Sequence, residues 1–226
     1  MGEGVLIRLQ NVSKTYKDGD QIVHAVEGVS LEVGAGDFVS VVGHSGSGKT
    51  TLLSLMGGLT KPQSGSVTIG GTEIWNLPDD DLSAFRNKNV NFIFQFASLV
   101  PTLTCLENVL LPTAFGKPGD GLVEYARSLL EMVGLKEKIN SYPSRLSGGQ
   151  QRRVAIARAF INSPKVVLAD EPTGDLDEAT ESEIMEIFRS KCAEGTTFII
   201  VTHNSSLAAE AKFRYRMSAG RLERAS

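Results

Sequence analysis

The sequence predicts an α/β fold: a mostly parallel sheet at the core, an antiparallel β subdomain ahead of it, and an α-helical subdomain inserted within it. Three observations lead there. Short continuous apolar runs at Phe38–Val42, 166–169 and 198–201 suit strands buried on both faces of a parallel sheet. Segments that alternate apolar and polar residues cluster near the N-terminus. Between about 97 and 160 the apolar residues recur at helical spacing.

The elements follow in order. Residues 5–9 and 29–33 read as strands, and in the second Val29, Leu31 and Val33 alternate with polar residues. Val67 and Ile69 alternate likewise, and these pieces predict an antiparallel sheet. Phe38–Val42 leads into a glycine-rich loop and then a helix over Lys49–Met56. Pro78 followed by Asp79, Asp80 and Asp81 reads as a short helix with Pro at its first position, the carboxylates complementing the positive end. That capping role explains the three acids without a metal. A strand is expected at 90–94, and Tyr125, Leu129, Leu130 and Val133 form one helical stripe. Ser147 can cap a helix running through Gln150 to Phe160, which Ser163 and Pro164 stop before the next strand. Ile184, Ile187, Phe188 and Cys192 form another stripe, with Cys192 as a small buried hydrophobe. The whole chain, 1–226, reads as one domain, with no repeats and no coiled-coil heptads.

Composition narrows the function. With 41% hydrophobic residues the 226-residue chain can bury a substantial core. A net charge of −3 provides no overall basic field, so a nucleic-acid partner is not expected. Two isolated cysteines make neither a disulfide framework nor a zinc site and fit a reducing compartment. The N-terminus shows no basic segment followed by an apolar stretch, so no signal peptide is expected. The longest uncharged run, 89–106, carries Asn, Gln, Ser, Thr and Pro, groups too polar for a membrane span. Any membrane must be supplied by a partner.

The chemistry is concentrated in a few strings. Gly43 to Thr50 spell GHSGSGKT, a phosphate-binding loop. Gly43 ends a strand, while Gly46 and Gly48 let successive N–H groups, those of Ser45, Ser47 and Thr51 among them, turn toward phosphate oxygens at a helix N-terminus. Lys49 would reach the β- and γ-phosphates, and the Thr50 hydroxyl would meet Mg²⁺. Asp170, at the tip of a buried strand, is placed for the same ion, and Glu171 follows it directly. Leu146 to Gln150 spell LSGGQ, and Thr202-His203 end the last apolar run. The loop pattern arises by chance in roughly 1% of chains this long, and a fixed pentapeptide on the order of a few times in ten thousand, so their ordered co-occurrence is not coincidence.

LSGGQ resembles the signature of the ATP-binding cassette family, and the other strings follow in that family's order from Lys14 to Gly220. The resemblance implies a P-loop NTPase core and an ATPase that uses ATP and Mg²⁺. It implies that Glu171 polarises the attacking water, that Gln95 touches Mg²⁺ or that water, that His203 holds the γ-phosphate, and that Tyr16 stacks on adenine. It further implies a head-to-tail dimer, with homodimer the expected form. There Ser147, Gly148, Gly149 and Gln150 grip the ATP of the other subunit, and the loop 174–177, with Asp177, crosses the interface. Asp175 departs from the commoner Asn of the relatives most resembled.

Glu171-Pro172-Thr173-Gly174 and Leu106-Glu107-Asn108-Val109 look most like the lipoprotein-release, macrolide-export and cell-division cassettes. That implies a cytoplasmic ATPase bound to the cell membrane through an integral permease. The alternative, a soluble cassette acting on DNA or ribosomes, usually has tandem cassettes or long coiled coils, which this chain lacks. From 89 to 116 the only charge is Glu107, so 98–106, from Ser98 to Leu106, is expected to line the permease groove, with Leu99 and Leu103 facing it. The five basic residues between Lys212 and Arg224 are expected on a solvated hairpin turning at Ala219-Gly220.

Overall fold

A computed structural model describes residues 4–19, 21–116, 120–174 and 176–225. In chain order the elements are β1 (Val5–Asp18), β2 (Gln21–Gly34), β3 (Phe38–Val42), α1 (Lys49–Met56), β4 (Ser64–Ile69), β5 (Thr72–Glu73), α2 (Asp79–Asn89), β6 (Val90–Ile93), α3 (Cys105–Leu110), α4 (Leu122–Met132), α5 (Gly148–Phe160), β7 (Val166–Asp170), α6 (Glu178–Ala193), β8 (Thr197–Thr202), α7 (Ser205–Ala209), β9 (Phe213–Ser218) and β10 (Arg221–Arg224).

The central sheet has the order β10-β9-β3-β8-β7-β6, parallel from β6 to β9 and antiparallel at the β9–β10 hairpin. The second sheet, β2-β1-β4-β5, is antiparallel. The continuous apolar runs are explained by what covers each face. Phe38, Val167, Ala169, Phe198 and Ile200 pack toward α4, α5 and α6. Their neighbours Val39, Val41, Val166, Leu168, Ile199 and Val201 pack toward α1 and the antiparallel sheet. Alternate residues of one strand therefore enter two cores, and Ser40, the polar residue inside β3, is buried with its hydroxyl donating to the Ala208 carbonyl at 3.0 Å.

Several elements differ from expectation. β1 and β2 are much longer than the alternation suggested, because register shifts between Leu9 and Thr15 break the period while the ladder continues. Pro78 sits at the N-cap of α2 rather than inside its first turn, and Asp79, Asp80 and Asp81 follow as first-turn acids. Cys192 is only half-buried, and its thiol lies 3.1 Å from the Gly36 carbonyl oxygen; burial raises its pKa. The C-terminal hairpin turns at Ala219-Gly220 as expected, with both residues at positive φ.

The stretch 98–106 is loop, as its Pro and Thr residues suggest, followed by the start of α3. Leu99 and Leu106 pack against the helical core. Thr104 and Glu107 cap α3 reciprocally, so the lone charge of the run is a structural acceptor. Asn108, 0% exposed, replaces secondary structure here. Its Oδ1 accepts the Val100 N–H at 2.8 Å, and its amide donates to the carbonyls of Val100, Leu103 and Thr104. Asn108→Ala should therefore strand buried backbone groups and cost about 2–3 kcal/mol, read from the urea midpoint of the purified chain.

Candidate active site

The carboxyl ends of the parallel strands meet at one edge. Val42 lies opposite Thr202, and Val201 lies opposite Asp170. The chain leaves β3 through the glycine loop and returns as α1. Gly46 and Gly48 have φ of 75° and 104°. A Cβ on Gly48 would fall 1.9 Å from the Ala25 carbonyl oxygen, so the loop lies flush against β2 as only glycine permits. No side chain caps the N-terminus of α1 and no acid occupies its first turn, which leaves its N–H groups for an anion.

Lys49 folds back over the loop, its ammonium donating to the carbonyls of Gly43 at 2.7 Å and His44 at 3.0 Å. The Thr50 hydroxyl donates to Asp170 Oδ2 at 2.6 Å. Burial raises the Asp170 pKa, and the neighbouring Glu171 raises it further against the opposing Thr50 hydrogen bond. Glu171 adopts φ 46°, a left-handed conformation rare for a side-chain-bearing residue. Its carboxylate accepts the Thr202 hydroxyl and the His203 N–H, both at 2.8 Å, and lies 2.7 Å from His203 Nδ1.

These groups share a cavity of about 450 Å³. Tyr16, Ser45, Gly46, Gly48, Lys49, Thr50, Thr51, Gln95, Asp170, Glu171 and His203 line it, together with Val23 and Ala25. Tyr16 stands 43% exposed at its mouth, paired across the ladder with Val23. Gly43 and Ser47, members of the same loop, do not line this cavity, and the buried Ser47 hydroxyl makes no hydrogen bond among the described residues.

The remaining candidates lie outside the lining. Ser147 caps α5 through the Gln150 N–H, and Gln150 Oε1 accepts the Ser147 N–H in return. Gly148 and Gly149 open that helix. Asp177 caps α6 through the Thr180 N–H and hydroxyl, contacts that lower its pKa. Asp175 lies outside the described residues. Val23, Ala25 and Thr202 were not legible as site residues. The first two reach the cavity only because the β1–β2 ladder extends past its apolar alternation.

A phosphate loop, a hydroxyl–carboxylate pair suited to a hard cation and a second carboxylate at the same edge define a nucleoside triphosphate hydrolase of the P-loop class. The chain belongs to the ABC transporter family, whose sequence profile matches residues 26–174, and is one of its ATPase cassettes. It is 43% identical over 219 residues to the lipoprotein-releasing system ATP-binding protein LolD of Geobacter metallireducens, covering 96% of this chain and 97% of that one. It is 44% identical over 224 residues to the macrolide export ATP-binding/permease protein MacB of Syntrophobacter fumaroxidans, covering 96% of this chain but spanning only 31% of that relative. The dimeric cassette MJ0796, in a post-hydrolysis state bound to ADP and Pi, superposes with a TM-score of 0.90 at 40% identity, covering 97% of this chain and 98% of that one.

The Asp170 shift carries a sign. Its folded pKa lies above the unfolded value, so stability falls as pH rises from the unfolded toward the folded pKa, and the ionised side chain is a liability above it. Asp170→Asn should therefore leave the melting temperature of the nucleotide-free chain at pH 7 equal or higher while cutting Mg²⁺-dependent ATP turnover by about 10² or more. Thermal melts and steady-state turnover check the two halves separately.

Proposed function

We propose that the chain is the ATP-hydrolysing subunit of a membrane transport or mechanotransmission complex, working as a homodimer with two ATPs sandwiched between copies. The observation that carries the reading is the split of the candidate residues. The cavity gathers the phosphate loop, Asp170, Glu171, Gln95 and His203, while the Ser147 helix start stays outside it. The Ser147 hydroxyl takes the Gln150 N–H of that helix, and a glycine-rich helix start left out of its own chain's site is explained if it completes the site of another copy. Dimeric packing of the similar MJ0796 cassette supports this.

In this reading Lys49 leaves the loop carbonyls for the β- and γ-phosphates, and Tyr16 stacks on the base. Thr50, Asp170 and Gln95 would hold Mg²⁺, whose charge neutralises that developing on the phosphates. Glu171 orients the attacking water and takes its proton, and His203 contacts the γ-phosphate beside it. Ser147, Gly148, Gly149 and Gln150 cover the γ-phosphate of the partner copy, and Asp177 lies in the loop at that interface. We treat 1–226 as one domain with a helical subdomain at about 97–160.

Glu171→Gln should lower turnover by at least ~10² while ATP still binds. With hydrolysis blocked in that way, ATP should drive monomer to dimer in ultracentrifugation. Adding Ser147→Arg should abolish the shift without abolishing ATP binding. A dimer that forms without nucleotide and survives Ser147→Arg contradicts the reading.

The permease reading draws on relatives named as ATP-binding and ATP-binding/permease proteins. No helix among the described residues is long and apolar enough to cross a membrane. By analogy with those relatives we place the chain on the cytoplasmic face of the membrane through its partner. We place the permease contact in the apolar groove beside the stretch 98–106. An open apolar cavity of about 570 Å³ takes only Ser98 from the stretch 98–106; its walls are chiefly Leu59, Phe92, Phe94, Leu111 and Phe115. Phe115 is 77% exposed. Arg158 holds the loop at its rim by donating to the carbonyls of Ala97 and Ser98, next to Gln95. A permease helix seated there would feel movement of Gln95. Phe115→Asp should keep the melting temperature of the isolated chain and reduce co-purification with the permease by about tenfold.

A further inference from the structure

Glu171 holds a backbone conformation that costs a side-chain-bearing residue free energy and persists only where the surroundings enforce it. Thr202 and His203 grip its carboxylate directly. Behind them lies a second set of contacts that hydrolysis as described does not use. Glu181, in the first turn of α6, accepts the Thr173 hydroxyl at 2.7 Å. The same carboxylate accepts the Asn204 amide at 3.3 and 3.4 Å. Thr173 lies two residues beyond Glu171, and Asn204 directly follows His203. Asn204 also donates its backbone N–H to the Thr202 hydroxyl oxygen at 3.0 Å. Its side-chain oxygen is occupied by the N–H groups of Ser206 and Leu207. One carboxylate on a helix thus ties the segment carrying Glu171 to the segment carrying His203. Thr173 and Thr202 are 4% and 1% exposed, so these bonds form where water competes little.

We propose that Glu181 is a positioning residue for hydrolysis: through Thr173 and Asn204 it braces the turn after Glu171 against the His203 loop and so holds the Glu171 carboxylate in place. The proposal rests on the reading of Glu171 as the group that activates water. The brace has a polarity that can be reversed. Glu181 only accepts, and the Asn204 amide donates because the Asn204 oxygen is committed to α7. Asp at 204 would keep that cap and set two carboxylates against each other. Gln at 181 facing Asp at 204 restores the match with the donor reversed, while its oxygen still accepts from Thr173.

The test is a set of full-length variants: Glu181→Ala, Asn204→Asp, and the double Glu181→Gln/Asn204→Asp, with Glu171→Gln alongside. kcat and KM for ATP with Mg²⁺ are measured for each, with thermal melts to confirm folding. We expect Glu181→Ala and Asn204→Asp each to lower kcat about tenfold with KM within about twofold, and the double variant to return within about threefold of native kcat. Native kcat in both single variants overturns the proposal. So does a double variant no faster than Asn204→Asp, or a change confined to KM. If Glu171→Gln itself turns over normally, the failure belongs to the reading of Glu171. If Glu171→Gln is inactive while the other variants are native, only the brace has failed.

Discussion

Val42 beside Thr202 and Val201 beside Asp170 are the pairings on which the rest of the molecule depends. They bring the ends of β3, β8 and β7 level, so that the phosphate loop, His203 and the Asp170-Glu171 pair leave the sheet at the same height. A slip of one residue in any of these strands would move its side chains between the two cores and carry its functional residue to the wrong side. The buried apolar residues enforce the register, because Ile200 and Phe198 fit one core and Ile199 and Val201 the other. Placement of the site is thus a consequence of packing rather than of contacts within the site.

Around that edge the structure trades local stability for readiness. Glycine at 48 lets the loop touch β2, and an acid at 170 is kept where burial disfavours its charge. Glu171 takes a left-handed backbone that Thr202 and His203 must secure. Each is a cost borne by a fold with two large cores to spare, and each sits where a triphosphate, a cation or a water would be handled. By contrast, the helix starts at Ser147 and Asp177 are capped by their own side chains.

An apolar groove opens near the same edge. Gln95 follows β6 into the cavity, and within a few residues the chain reaches the apolar groove where Arg158 ties the Ala97 and Ser98 carbonyls to α5. The helix that opens with the LSGGQ string therefore also anchors the loop that leads from the nucleotide cavity to the groove. Asn108 stiffens the next stretch from within. Packed side chains and hydrogen bonds thus join the LSGGQ helix, the loop after Gln95 and the groove.

Much of this was legible before any coordinates. The order of GHSGSGKT, Gln95, LSGGQ, Asp170-Glu171 and His203, and the apolar runs carrying them, sufficed for the fold class, the family and most of the cavity lining, because strand burial and phosphate binding each demand particular residues at particular spacings. The reach of β1 and β2, the contribution of Val23 and Ala25, and the apolar cavity walled by Leu59, Phe92, Phe94, Leu111 and Phe115 were not legible. Leu99 and Leu106 look like surface residues in a loop-like string, yet they pack inward, while Phe94 and Phe115 stand exposed. Nor could local spacing reveal that Glu181 meets Thr173 and Asn204. Such choices depend on which distant segments pack together, and only the folded chain determines that.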